Sequence, residues 1–367
     1  MRVAAQLATA ALSLNALLVG AVPAAPAPTS AAPAYGAGAP GYQNVVKAKN
    51  PLNILITNDD SAFSANIRAT YYALLTAGHK VLMVAPFQNQ SGKGGTVVLP
   101  TTLTTTAPSR DGSVPAGGPY AGRNATEPSI RWFDGTPAAA LLWGLDQEAP
   151  GFFNSSDVNG GVQFVVSGPN EGNNLGPFIF TLSGTVGATY TAVERGVPAV
   201  AFSAATKPRN FSDINFSDPN DESIQLGTAS ANFVTRFVDA TSNFPFGSKS
   251  SKKLPDAVGL NVNYSPISSN CTESQLKWTK SRLTGGAIVD KLVVNAAGLP
   301  TYQNLVTDAV NTCLNGDCGL PGETNVVAAG TCAASVSIYS TDYDANLRTA
   351  VSINPALNKA IIQLNSK

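Results

Sequence analysis

The chain has 367 residues, 44% of them hydrophobic, which suffices for one large core or two modest ones. Lys plus Arg (23) equals Asp plus Glu (23), and charged residues make up only 13%. That balance leaves no electrostatic footprint for a nucleic acid polymer or an anionic membrane, and no charge run reads as a disordered binding tail.

Residues 1–24 have the form of a secretory signal peptide. Arg2 supplies the positive charge, "VAAQLATAALSLNALLVGAV" the apolar stretch, and Val22-Pro23-Ala24-Ala25 the small residues around a cut near 21–25. A signal anchor is the competing reading. No other apolar run approaches the ~20 residues of a membrane span, so no membrane association is expected after cleavage. A secreted, extracellular protein should carry disulfides and glycans. Of the three pairings open to Cys271, Cys313, Cys318 and Cys332, we favour Cys313–Cys318, which closes the tight loop "CLNGDC", with Cys271–Cys332. Zinc is the rival, and no His accompanies these cysteines. Glycan acceptor motifs begin at Asn124, Asn154, Asn210, Asn215 and Asn270, with weaker cases at Asn89 and Asn263.

Residues 25–50, rich in Ala, Pro and Gly, read as a linker, so the fold is expected to start at Pro51 and run to 357. "NILIT" is a strand. "SANIRATYYALLTAG" has near-helical apolar spacing at Ile67, Tyr71, Leu74 and Leu75, and Gly78 stops it. "KVLMVAP" is a strand, and "TPAAALLWGLD" a helix with Thr136 as cap and Pro137 in its first position. "VQFVVSG" is a strand, "SGTVGATYTAVERG" a helix, and "PAVAFS" a strand. Continuous apolar strands alternating with helices predict an α/β core over 51–205: a mostly parallel sheet with helices on both faces. A less regular extension follows over 206–357. It holds a helix at "ESIQLGTASANFVTRFVDATSNF", strands at "AVGLNVNY", "SVSIYSTDYD" and "AVSI", and all the cysteines.

Open parallel sheets bind ligands at the carboxyl ends of their strands. The first strand ends in Asn58-Asp59-Asp60. The second runs into "APFQNQSGKGG" with Gln88, Asn89 and Ser91. The "VQFVVSG" strand ends in "PNEGNNLG" with Asn170, Glu171, Asn173 and Asn174, and the next helix opens with Ser183-Gly184-Thr185. Two adjacent carboxylates with hydroxyl and amide oxygens make an all-oxygen set suited to Mg²⁺ or Mn²⁺ first and Ca²⁺ next. A helix N-terminus beside such a cation favours phosphate, and the pair suggests phosphoryl chemistry. Taken singly, each piece also reads as a turn, a loop or a helix cap; only their joint placement points to a site. The single histidine, His79, follows a helix end and is expected at the surface, which argues against a Ser-His-Asp hydrolase. Glu171 is expected to face solvent.

"NILITNDD", "VAPFQNQSG", "SGPNEGNNLG" and "SGTVGATYTAVERGVPAVAFS" follow one another in the order and spacing of the SurE family, the survival-protein-E-like phosphatases and nucleotidases. The chain resembles the family's secreted fungal branch over about 52–204, and more weakly in "STDYDANLRTAVSINPAL" (340–357). The resemblance implies a Rossmann-like α/β core and a divalent-metal phosphatase that hydrolyses phosphate monoesters, commonly nucleoside 5′- or 3′-monophosphates. It implies Asp59, Asp60, Ser91 and Asn170 as metal ligands, with Asp59 and Asp60 at the centre of catalysis. It also implies Asn174, Ser183, Gly184 and Thr185 as phosphate contacts. The family's C-terminal hairpin often joins two copies, which makes a homodimer plausible. Attack by water and attack by Asp59 as a covalent nucleophile both remain open. Two departures stand out: Ser61 where bacterial members usually have Gly, and the apolar "PFIFTL" where the family often carries acidic residues. They motivate an alternative, a catalytically inactive secreted binding protein that retains the fold.

Overall fold

The computed structural model describes residues 36–241, 253–285, 291–303, 313, 316–342, 355 and 358. The signal peptide, the "AVSI" strand and most of the 340–357 resemblance lie outside these residues.

In chain order the elements are β1 (Asn53–Thr57), α1 (Ala65–Ala77), β2 (Lys80–Pro86), β3 (Ala121–Arg123), β4 (Ile130–Phe133), α2 (Pro137–Trp143), α3 (Ala149–Phe153), β5 (Phe164–Glu171), α4 (Gly176–Leu182), α5 (Gly184–Glu194), β6 (Ala199–Ala204), α6 (Glu222–Thr241), β7 (Val258–Tyr264), β8 (Lys277–Ser281), β9 (Lys291–Val294), β10 (Pro300–Gln303), α7 (Glu323–Ala328) and β11 (Ala333–Ser340). One nine-stranded sheet runs β3-β4-β2-β1-β5-β6-β7-β11-β8, and β9 and β10 form a separate hairpin. From β4 to β7 every neighbouring pair is parallel; β3–β4 and β7–β11 are antiparallel. The expected α/β architecture is therefore present. The extension is not a separate body: β7 continues the parallel sheet beside β6, and β11 and β8 widen it further.

Strand alternation sets the two faces. Ile54 and Ile56 of β1, with Val81 and Met83 of β2, join one core, which also holds Ile67 and Leu74 of α1 and Ile224 and Val234 of α6. Leu55, Leu82 and Val84 join the other, with Leu141 of α2 and Ala192 of α5. Each fully buried Leu or Ile contributes roughly 1.5–3 kcal/mol, which is why these strands read as unbroken apolar runs.

α1 ends where Gly78 takes the left-handed conformation (φ 103°). The chain then turns His79 inward, correcting its expected surface position. The ring is buried, its Nδ1 accepts from the Leu52 N–H (3.1 Å), and its Nε2 lies 3.2 Å from Thr235 Oγ1. Burial lowers its pKa to about 4, so it is a neutral structural histidine. Packing also begins before Pro51. Tyr42 and Val45 are buried, the Tyr42 hydroxyl donates to the Ala69 carbonyl (3.0 Å), and the Val46 N–H donates to Asn232 Oδ1 (2.7 Å). Tyr42 and Val45 are the apolar anchors that the Ala/Pro/Gly composition of 25–50 concealed. Both expected disulfides are formed, Cys271–Cys332 and Cys313–Cys318. Among the weaker glycan motifs, Asn263 is fully buried in β7 and out of reach of modification in the folded chain.

Candidate active site

The chain passes from β1 to β2 on one side of the sheet and later from β5 to β6 on the other. The crevice between the carboxyl ends of β1 and β5 is thus the switch point, the place where such sheets bind ligands. β1 delivers Asp59 and Asp60 to it and β5 delivers Asn170 and Glu171, with Thr57 and Ser167 paired in register just below. The hydroxyls of Thr57 and Ser167 are buried there without a hydrogen-bond partner.

Asp59 and Asp60 are both buried. The Thr185 hydroxyl donates to Asp59 Oδ1 (2.6 Å) and also lies 3.2 Å from Asn170 Oδ1. The backbone N–H groups of Gly184 and Thr185, at the positive end of α5, also act to lower the pKa of the Asp59 carboxyl. That approach requires glycine: a Cβ on Gly184 would stand 2.9 Å from Asp59 Cβ and 2.8 Å from Pro137 Cγ. Ser183 caps α5, its oxygen accepting from the Val186 N–H (3.1 Å). Asp60 Oδ2 accepts from the Glu171 N–H (2.9 Å). Burial raises the Asp59 pKa against those hydrogen bonds, and it raises the Asp60 pKa further, reinforced by the charges of Asp59 and Glu171.

Glu171 does not face solvent, contrary to expectation. Its side chain is 3% exposed, ion-paired with Arg110 (2.8 Å) and bonded by the Arg209 N–H (3.0 Å). The Arg110 guanidinium also donates to the Asp60 carbonyl (3.1 Å) and, at 3.4 Å, to the Arg209 carbonyl. Nothing in the spacing of "APSRDG" marked Arg110, because it belongs to the long excursion between β2 and β3.

The remaining expected residues fall around this centre. Ser91 is exposed on the loop after β2, which is tied to the site by the Gln90 N–H donating to the Asp59 carbonyl (2.7 Å). Asn174 stands over β6 and β7. Its N–H donates to Asn263 Oδ1 (2.7 Å), its amide donates to Ser203 Oγ (2.7 Å), and its carbonyl accepts from Asn261 (3.0 Å). "PFIFTL" forms most of α4. A separate cavity of about 710 Å³, lined by Phe233, Phe237, Trp278 and Ile338, shares no residue with this site.

Among the described residues no group of three or more His, Cys, Asp or Glu is arranged to hold a metal. The donor set nevertheless suits a hard cation. Two adjacent buried carboxylates and the Asn170 amide oxygen line the crevice, while the nearest guanidinium is bonded to the Asp60 carbonyl and not to either aspartate carboxylate.

Fold and site together define a class: a doubly wound α/β protein with an acidic, oxygen-lined crevice at its switch point. The family model for the survival protein SurE matches residues 54–285. The chain is 43% identical over 318 residues to an acid phosphatase of Yarrowia lipolytica, an alignment covering 84% of this chain and 85% of that one. It is 32% identical over 154 residues to a 5′-nucleotidase SurE of Synechocystis, covering 41% of this chain and 47% of the relative, so it spans about half the length of that protein. The crystal structure of SurE from Aquifex aeolicus superposes with a TM-score of 0.54 at 23% identity, over 83% of this chain and 99% of that one, a likeness of fold. The chain belongs to the SurE family.

Proposed function

We propose that the protein is a secreted, divalent-cation-dependent phosphomonoesterase of the acid phosphatase or 5′- or 3′-nucleotidase type. The observation that carries this reading is the Asp59–Asp60 pair, buried side by side at the switch point with the Thr185 hydroxyl and the Asn170 amide oxygen beside it. The names of the relatives support the reaction class. Asp59, Asp60, Asn170 and Ser91 would hold Mg²⁺ or Mn²⁺, and the cation, when bound, would supply Lewis-acid polarisation of the phosphoryl group. The Thr185 hydroxyl fixes Asp59, and the Glu171 N–H fixes Asp60, so neither carboxylate need reorganise during turnover. With its oxygen accepting from Val186, Ser183 keeps its own O–H as a donor for a phosphate oxygen. Asn174, held by Asn263 and Ser203, would contribute its remaining amide N–H. Secretion accords with the two disulfides and with exposed acceptor residues at Asn154, Asn215 and Asn270.

The test is phosphate release from p-nitrophenyl phosphate and a panel of nucleoside monophosphates, with EDTA and then with Mg²⁺ or Mn²⁺ restored. EDTA-sensitive release is expected, with Asp59→Asn losing at least about 10³-fold in kcat while remaining folded. Full activity in Asp59→Asn would overturn the site. No release by the folded wild type under any cation would favour the inactive binding protein.

A further inference from the structure

Arg110 reaches both walls of the crevice. One Nη donates to the Asp60 carbonyl at the end of β1 (3.1 Å), and the other pairs with the Glu171 carboxylate at the end of β5 (2.8 Å). Glu171 in turn donates its N–H to Asp60 Oδ2 (2.9 Å), which closes a ring of contacts across the switch point. The guanidinium is largely buried (13% exposed) and the Glu171 carboxylate almost wholly so (3%), so solvent cannot replace either bond at little cost. The neighbouring arginine cannot substitute, because the Arg209 guanidinium is committed to Asp221 (2.8 Å) and offers Glu171 only its backbone N–H.

We propose that Arg110, carried in by the excursion between β2 and β3, is a positioning residue: by bridging the Asp60 carbonyl and Glu171 it holds the β1 and β5 walls of the cation crevice in register. This rests on the phosphomonoesterase reading for its effect on turnover, but not for its effect on cation binding. A planar fork with two separated donors suits the task, and a lysine ammonium at the same place would keep the charge but not both bonds.

The sign of one measurement separates positioning from simple charge. A guanidinium that acted only through its charge would repel a cation nearby, so its removal would tighten Mn²⁺ binding. Positioning requires the opposite. Mn²⁺ dissociation constants are to be measured by calorimetry for wild type, Arg110→Ala, Arg110→Lys, Glu171→Gln and the double variant Arg110→Ala/Glu171→Gln, with kcat and KM for p-nitrophenyl phosphate alongside. Urea unfolding checks that each variant is folded, and Arg110→Lys stands in should Arg110→Ala fail to fold.

Arg110→Ala should weaken Mn²⁺ binding about tenfold or more and lower kcat similarly, with KM for the ester changed less than about threefold. Arg110→Lys should fall between the two. In the Glu171→Gln background the further loss on removing Arg110 should shrink to less than about threefold, because the residue acts through Glu171. Tighter Mn²⁺ binding in Arg110→Ala overturns the inference, as does an equal loss in both backgrounds or a loss confined to KM. Should the wild type bind Mn²⁺ with this pattern yet release no phosphate, the inference stands and the phosphatase reading falls. Should it release phosphate while Arg110→Ala matches wild type, the inference alone falls.

Discussion

Ser61 shows how much a single backbone position can carry. It follows the aspartate pair with φ 133°, a conformation that favours glycine. Its serine is retained by local bonds: its N–H meets Asn58 Oδ1 (3.3 Å), its carbonyl accepts from Ser64 Oγ (3.0 Å), and its Oγ accepts from the Phe63 N–H (3.0 Å). The loop therefore keeps the glycine-like geometry, and Ser61 spends its hydroxyl on the backbone. Ser61→Ala keeps the strain and loses the Oγ bond, whereas Ser61→Gly loses the bond but relieves the strain. In urea unfolding Ser61→Gly should be the more stable of the two by about 1 kcal/mol; the reverse order would show that φ is not strained here. Asp59, Asp60 and Thr185 were legible at this scale because they stand just past a strand or open a helix, and Asn170 because it lies at the carboxyl end of β5, past its apolar run. Glu171 was legible as a carboxylate but not in its surroundings, since its partner Arg110 lies 61 residues away. His79 misled for the same reason: its neighbours Leu52 and Thr235 are remote in sequence.

Among the elements, the contact between the loop after β2 and helix α5 decides where Ser91 can stand. The Gly94 N–H donates to the Leu182 carbonyl (2.9 Å), and a Cβ on Gly187 would meet the Gly94 carbonyl oxygen at 2.0 Å. The glycines of "SGKGG" and "SGTVG" are thus complementary, one allowing the loop to approach and the other leaving it room. Gly187→Ala should cost about 1–3 kcal/mol and push the loop off α5, lowering kcat together with the unfolding midpoint. Gly151→Ala, where a Cβ meets nothing within 4 Å, should be neutral or slightly stabilising. An equal response of the two variants would refute the close approach. Strands β1, β2, β5, β6, β7 and β11 were readable from their apolar runs. β3, β4 and β8 were not: β3 and β8 are partly exposed edge strands, and β4 has only four residues, two of them half-buried. α4 and α7 have seven and six residues, too few for helical periodicity to declare itself.

At the scale of the whole molecule, the extension is tied to the site through a buried acid. Glu323, at the start of α7, accepts from the Gly176 N–H (2.8 Å) and from Asn261 (3.1 Å), and Asn261 also bonds the Asn174 carbonyl (3.0 Å). Burial lifts its pKa from 4.5 to about 8. A carboxyl whose pKa rises on folding binds its proton more tightly in the folded chain. Its contribution to stability is therefore whole below about pH 4.5 and is lost as pH climbs through about 8. The loss should be of the order of a few kcal/mol. Urea midpoints should accordingly fall between acid and mildly alkaline pH, and Glu323→Gln should flatten that fall. An unchanged slope in Glu323→Gln would remove Glu323 as its cause.

By itself the sequence determined the alternation of strands and helices, the polar clusters at their ends, and the family. These depend on patterns a few residues long: strand runs, helix spacing, caps and glycine stops. Only the tertiary structure decided that β5 lies beside β1, that Arg110 bridges them, and that Glu323 supports the Asn174 loop from 147 residues beyond Gly176. The reason is physical. A buried charge must find its partner wherever global packing brings one within reach, and sequence distance places no bound on where that is.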